Sequence, residues 1–299
     1  MNELLTQMFD IGEVLDLLDP QGVIYLALML LIFVGAKWIH DLVTPYELTD
    51  QLVREDNPAV ALVFAGYLLA IGVILQGVLA QEPVATGAAT PQRALLADLW
   101  STLLWGGIGV VLLEVARVVD DKLLLYRFSN TKELVEDRNM GTAAVEFGSL
   151  VGTGLVIRAV LSGDDLGLAA SLVATAVYFV AAQLAFVLFG LLYQRVTRYD
   201  VHAEIERDNV AAGVALGGSL LAIGVQMSSY LTRYDSLLGL VVWLVIGMFL
   251  LLTSRYILDK WVLPGALLDD EISRDQNWGA ALVESGAALS VAYLIGTAF

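Results

Sequence analysis

The sequence predicts an all-α membrane protein of eight transmembrane helices, made by tandem duplication of a four-helix unit that is itself two related hairpins, with all repeats parallel. Three observations carry this prediction. The 299-residue chain is 58% hydrophobic with a mean hydropathy of +0.74, against about 45–50% apolar residues in soluble domains. Its charges cluster, leaving eight apolar stretches of the length that crosses a bilayer. One short pattern also recurs four times in register.

The elements follow in order. Residues 1–22 carry Glu3, Asp10, Glu13, Asp16 and Asp19 and no Lys or Arg. A secretory signal begins with positive charge, so this segment is not one. Its apolar residues recur near helical spacing and predict an amphipathic helix at the membrane surface. The spans are expected over Val23–Val43, Pro58–Ala80, Leu95–Val119, Met140–Leu161, Leu166–Leu192, Val210–Leu231, Leu237–Leu258 and Trp278–Ala298. A helix satisfies its own backbone where lipid offers no hydrogen-bond partner. Residues 23–161 form the first four-helix unit and residues 162–299 the second. Thirteen of the 16 Lys and Arg residues sit in or beside the connections after the first, third, fifth and seventh helices; only Arg93, Arg158 and Arg233 lie on the other side. The positive-inside rule then puts those connections in the cytoplasm and both termini outside.

Each of these four connections ends in a charged, mostly acidic stretch and an Asn, followed by small residues. After Asn57, Asn139, Asn209 and Asn277 the chain reads PAVALVFAG, MGTAAVEFG, VAAGVALGG and WGAALVESG. The ninth residue is Gly66, Gly148, Gly218 or Gly286, and four further on stand Ala70, Gly152, Ala222 and Ser290. The first and third copies share LLAIGV at Leu68–Val73 and Leu220–Val225. The second and fourth align without a gap at an offset of 138, pairing Arg117 with Arg255, Asp121 and Lys122 with Asp259 and Lys260, and Glu146 with Glu284. Asn is a strong N-cap, Pro58 suits the first helical position, and acids before the cap suit the helix dipole. Small residues four apart let a neighbouring helix approach closely.

This fourfold register resembles the YjfL-like family of inner-membrane proteins, domain of unknown function 350, in two tandem copies covering nearly the whole chain after Gly22. The acidic N-terminal segment is not part of that pattern. The resemblance implies an eight-helix protein of the bacterial inner membrane with no settled activity, and association with membrane-stress proteins of the phage-shock type.

Glu146 and Glu284 stand seven residues into a membrane helix, about 10 Å from its start. A carboxylate at that depth is costly and faces protein or a wet cavity. Seven and nine residues differ by about 200° around a helix, so each Glu points away from the Gly stripe. Arg117 and Arg255 each lie 22 residues before their Asn, and the first and third copies lack both charges, with Gly35 and Phe64 or Val187 and Leu216 in their place. This joint presence predicts Arg117–Glu146 and Arg255–Glu284 pairs; a neutralising role and a functional one both stay open. Glu114 is an alternative partner for Arg117. Gln76, Gln183 and Gln226 read as helix bridges, and His40 and His202 as lone residues near connections. Asp200, His202, Glu204 and Glu206 read as a solvated acidic face.

The net charge of −16 excludes nucleic-acid binding, and the absence of cysteine excludes thiol chemistry. No enzyme motif, metal site or cofactor motif is present. Two functions remain. One is permeation or coupling of protons or small cations through the paired carboxylates. The other is a non-transporting scaffold or envelope-stress sensor that recruits a cytoplasmic phage-shock-like partner. Candidate partners are the lipid bilayer, a further copy of the chain in a homo-oligomer, and that membrane-stress protein.

Overall fold

The computed structural model describes residues 20–80, 90–163 and 167–298. Eight long helices are present: α1 Pro20–Val43, α2 Pro58–Leu79, α3 Pro91–Val119, α4 Met140–Leu161, α5 Leu168–Val196, α6 Val210–Leu231, α7 Leu237–Ile257 and α8 Trp278–Ala298. All eight are long and apolar enough to span a membrane. The surface helix expected over residues 1–22 falls outside the described residues, except for Pro20–Gly22, which begin α1. Leu166, the expected start of the fifth span, also lies outside them. α1 and α3 start three and four residues before their expected bounds and α5 ends four residues beyond its own, while α7 ends one residue early. Helical hydrogen bonding is satisfied beyond the apolar stretch as well as within it.

The even-numbered helices form the core. α2 packs on α4, α4 on α6 and α6 on α8, side by side in one row. The order of contacts along each junction runs the same way on both partners, so the four helices are parallel. Ala70 of α2 meets Gly154 of α4, and further along Gly77 meets Arg158. The odd helices flank the row. α3 leans on α1, α2 and α4; α5 on α4 and α6; α7 on α6 and α8. α1 and α7 present most of their surface outward, with large Leu, Val and Trp side chains exposed, as a lipid-facing helix does.

Each even helix begins at the same face, here termed the capped face. Asn57 accepts the amides of Ala59 and Val60, Asn139 that of Thr142, Asn209 those of Ala211 and Ala212, and Asn277 that of Ala280. Each of the first three also donates its side-chain amide to a carbonyl in the connection before the next even helix: Asn57 to Leu134 at 2.8 Å, Asn139 to Ile205 at 2.6 Å and Asn209 to Ile272 at 2.8 Å. The residue before each Asn turns the chain with a left-handed backbone: Asp56 (φ 47°), Arg138 (53°), Asp208 (60°) and Gln276 (49°). Upstream, Asp41, Asp121, Gln194 and Asp259 each accept the amide of Leu48, Asn130, Val201 or Leu268 at 2.7–2.9 Å, which pins all four connections. The conserved spacing of Asp121 and Asp259 in the sequence is this anchor.

The Gly stripes meet neighbouring helices at three of four positions. A methyl group on Gly66 would lie 2.8 Å from the Phe147 ring, and on Gly148 or Gly218 would overlap Gly217 or Ser285. Gly286 departs from the expectation of a close crossing. Among the described residues nothing lies within 4 Å of a methyl group placed there, and the residue is exposed. It belongs to α8, the last described helix of the row.

Gly148→Leu is expected to destabilise the protein by at least about 1–3 kcal/mol through overpacking against backbone, whereas Gly286→Leu leaves stability unchanged. Equilibrium unfolding in mixed micelles tests both, and equal effects would contradict the row. A second expectation concerns pH. Buried His202 donates through Nε2 to the Leu124 carbonyl at 2.9 Å, and burial pulls its pKa below the ordinary value. The unfolded chain therefore binds a proton that the folded chain refuses. This contribution is present above about pH 6.5 and declines as pH falls from there towards the lower folded-state value. His202→Gln should flatten that acid limb in a plot of Tm against pH.

Candidate functional site

Two clusters of buried charge lie in the capped half of the helices. In the first, Arg117 ends the straight part of α3, just before a single π-helical turn at Asp120–Leu124. Glu146 faces it from α4, seven residues past the Asn139 cap. Their side chains are 11% and 2% exposed, and Arg117 Nε lies 3.7 Å from Glu146 Oε2. Arg117 also holds Glu114, one turn earlier on α3, at 2.9 Å. Asn130, in the short helix Asn130–Val135, donates to the other oxygen of Glu146 at 2.8 Å. Beneath Glu146, Ser149 donates to buried Asp120 at 2.9 Å.

α1 completes this cluster. His40 is buried at its end, with Nδ1 3.1 Å from Glu114 Oε1 and Nε2 3.3 Å from the Tyr46 hydroxyl. Arg117 also reaches that hydroxyl, at 3.5 Å. Burial pushes the Tyr46 phenol up to about 12, so it is neutral and donates at physiological pH. The sequence reading of His40 as a lone residue near a connection is corrected here. Its ring sits on the inward face of α1, against Phe64 and Tyr67 at 5.5 Å between centroids. His202 is likewise buried, as is Glu204, so of that run only Glu206 and Asp200, which caps the helix by accepting the Ala203 amide, are solvated.

The second cluster repeats the pair with other partners. Arg255 of α7 and Glu284 of α8 are 7% and 4% exposed and again 3.7 Å apart. The second carboxylate here is Asp269, from the short helix Leu268–Ser273, at 2.8 Å from Arg255. Tyr193 of α5 donates to Glu284 at 2.9 Å, and its ring lies 5.1 Å from the guanidinium. Tyr193 stands where His40 stands in the first cluster: Thr44 bonds to the His40 and Tyr46 carbonyls, and Thr197 to those of Tyr193 and Tyr199. That shared spacing, His or Tyr, then Thr four on and Tyr six on, is a signal in the sequence that the ungapped comparison passed over.

The clusters differ in access. A cavity of about 400 Å3 between α1, α3 and the connection is lined by Thr44, Glu114, Arg117, Asn130 and Glu146 among others. In both clusters a carboxylate oxygen is buried without a hydrogen-bond donor among the described residues: one of Glu146 and one of Asp120 in the first, one of Glu284 in the second. In the second cluster the Tyr193 ring covers Arg255, and Tyr199 is held neutral, its phenol pushed up to about 12 by burial. The first arrangement offers carboxylates, an imidazole and a phenol in hydrogen-bond sequence beside a cavity, which suits passing a proton or holding a small cation. Among the described residues no group of His, Asp and Glu has the arrangement of a metal site. Gln183 bonds Thr153, Gln226 bonds the Trp243 carbonyl and Gln76 bonds Arg158, each bridging two helices.

A row of parallel, Asn-capped helices with buried charge pairs defines a multi-pass membrane protein built from two tandem copies of a four-helix unit. The chain belongs to the family described as Domain of Unknown Function (DUF350), whose model matches residues 11–161 and 167–299. The first match begins inside the acidic N-terminal segment. The chain is 35% identical over 104 residues to the UPF0719 transmembrane protein YshE of Bacillus subtilis, covering 35% of this chain and 77% of that one. It is 23% identical over 208 residues to a UPF0719 transmembrane protein of Aquifex aeolicus, covering 67% and 71%. No solved structure shows a significant match.

The geometry separates the two partners of each pair. Glu146→Gln leaves Arg117 bonded to Glu114, whereas Arg117→Gln removes the guanidinium that faces both carboxylates and leaves them only the Asn130 and His40 hydrogen bonds. Arg117→Gln is expected to cost about 3–5 kcal/mol, the usual penalty for breaking a buried pair, and Glu146→Gln distinctly less. Unfolding of the two variants in the same micelle measures the order, and the reverse order would refute this wiring.

Proposed function

We propose that the chain is a non-enzymatic protein of the bacterial inner membrane, with both termini outside the cytoplasm and the capped face inside. In this reading the Arg117–Glu146 cluster carries protons or small cations through the capped half of the membrane. The supporting observation is that Glu146 and Arg117, though buried, line a cavity that Glu114 shares, with His40 and Tyr46 in hydrogen-bond reach behind it. In the second pair the Tyr193 ring lies over Arg255 at 5.1 Å instead. The distribution of Lys and Arg supports the orientation.

Dye-monitored proton and cation flux in proteoliposomes tests the reading. Flux by the wild type should fall at least about tenfold in Glu146→Gln and stay near normal in Glu284→Gln. Wild-type protein without flux, or equal loss from both variants, would sink it.

A second reading is a scaffold or stress sensor without transport. Its support is the row of exposed acids on the capped face, Glu55, Glu136, Asp137, Glu206 and Asp275, which suits a soluble partner with a basic face, such as a phage-shock-type protein. Salt-sensitive binding of such a partner, lost when these acids are neutralised, together with absent flux would favour it.

Orientation has its own test. The chain has no cysteine, and Ser129 and Thr90 are exposed at opposite ends of α3 and its following turn. In intact cells an impermeant maleimide should label Thr90→Cys and spare Ser129→Cys; the opposite pattern inverts the topology.

A further inference from the structure

The three junctions of the row are one interface used three times. Counting from each cap Asn, residue 9 of one even helix meets residue 8 of the next: Gly66 on Phe147, Gly148 on Gly217, Gly218 on Ser285. Residue 13 meets residue 15 at Ala70 on Gly154 and Gly152 on Gly224. Each cap side chain donates across the same junction, from Asn57, Asn139 and Asn209 to Leu134, Ile205 and Ile272. Such an interface is heterologous: its two sides are different surfaces. A row built from it must end with one side of each kind uncovered.

Both uncovered sides are present. On α8, residues 2, 5, 9 and 13 after Asn277 are Gly279, Leu282, Gly286 and Ser290, and all four are exposed. Asn277 is also exposed, while Asn57, Asn139 and Asn209 are at most 1% exposed. Among the described residues its side-chain amide bonds within its own connection, to Glu271. On α2, residues 4, 8 and 12 after Asn57 are Ala61, Ala65 and Leu69, also exposed. Ala65 and Leu69 floor a groove walled by Phe33 of α1 and by Leu155 and Arg158 of α4. The carbonyl equivalent to Leu134, Ile205 and Ile272 is that of Leu52, which follows the acceptor of the Asn57 amide as those three follow theirs.

We propose that α8 of one copy seats in the groove over α2 of a second copy, so that the row of capped parallel helices continues from chain to chain. Gly286 then meets Ala65, and the Asn277 side chain donates to the Leu52 carbonyl. Lipid is the competing cover. Yet Gly and Ser offer acyl chains little contact, and the flanking α1 and α7, which have no such role, carry large apolar side chains outward. Because the interface is head-to-tail, copies add until the turn between them closes a ring.

Cysteine crosslinking tests this directly in the cysteine-free chain. Ala65→Cys and Gly286→Cys are co-expressed with different tags and oxidised in the membrane. The expected result is a disulfide dimer bearing both tags, with none from either variant alone. A dimer from Gly286→Cys alone would mean a symmetric contact and would overturn the proposal. Native mass in mild detergent gives the second readout: several copies for the wild type and a single, still cooperatively unfolding copy for Gly286→Trp, since a side chain at Gly286 meets none of the described residues of its own chain. A single-copy wild type that also gives no mixed disulfide in the membrane would mean that lipid covers both faces, and the proposal falls.

Discussion

The side chains of Asn57, Asn139 and Asn209, which start the first three even helices, are each shared between two helices. The oxygen accepts the first free amides of its own helix, and the nitrogen donates to the connection in front of the next. Four parallel helices side by side would otherwise bury four sets of unpaired amides at one face. One residue type removes that cost and also sets the height of each helix against its neighbour. The close junctions depend on this. A shift of a single residue along α6 would bring Leu216 in place of Gly217 against Gly148, and the backbones could no longer touch. The left-handed residue before each Asn and the side-chain anchor upstream serve the same end, by delivering the asparagine at one fixed place.

The two charged clusters start from the same pair at the same separation and have diverged around it. In both, an arginine ending an odd helix faces a glutamate on the following even helix, and a second carboxylate takes up the rest of the guanidinium. In the first unit that carboxylate is Glu114, from the same helix; in the second it is Asp269, from the connection. The position held by an imidazole in the first is held by a phenol in the second. The duplication thus preserved the electrostatic skeleton and altered the ring that stands beside it.

Most of the architecture was legible in the sequence because the bilayer imposes it. Apolar length gave the eight spans to within a few residues, and the fourfold Asn register marked the capped helices. Which helices form the core was not legible. α2 and α7 are similarly apolar, and the difference lies in whether small residues recur on one face, as Gly148 and Gly152 do. The Arg and Glu of each cluster stood out by recurring together at an offset of 138. His40 and Tyr193 did not, because the odd helices of the two units differ by one residue in spacing to the cap: 17 residues separate His40 from Asn57, and 16 separate Tyr193 from Asn209. Asp269 was hidden for another reason. Its place in the first unit is Thr131, so its role is not repeated at all. The exposure of Gly286 was unreadable because its motif matches those of Gly66, Gly148 and Gly218, which do meet a neighbouring helix.

The junction of α4 with α6 joins the two units, yet it is built like the junctions inside them, with the same side-chain amide bond and the same glycine contact. The chain between α4 and α6 therefore carries no packing of its own kind; what fusion supplied was a permanent neighbour. A gene encoding one unit would produce a chain whose two outer faces fit each other. Doubling that gene would convert one meeting between subunits into a fold-internal contact, present at any expression level, and would free each half to change its charged cluster without its twin following.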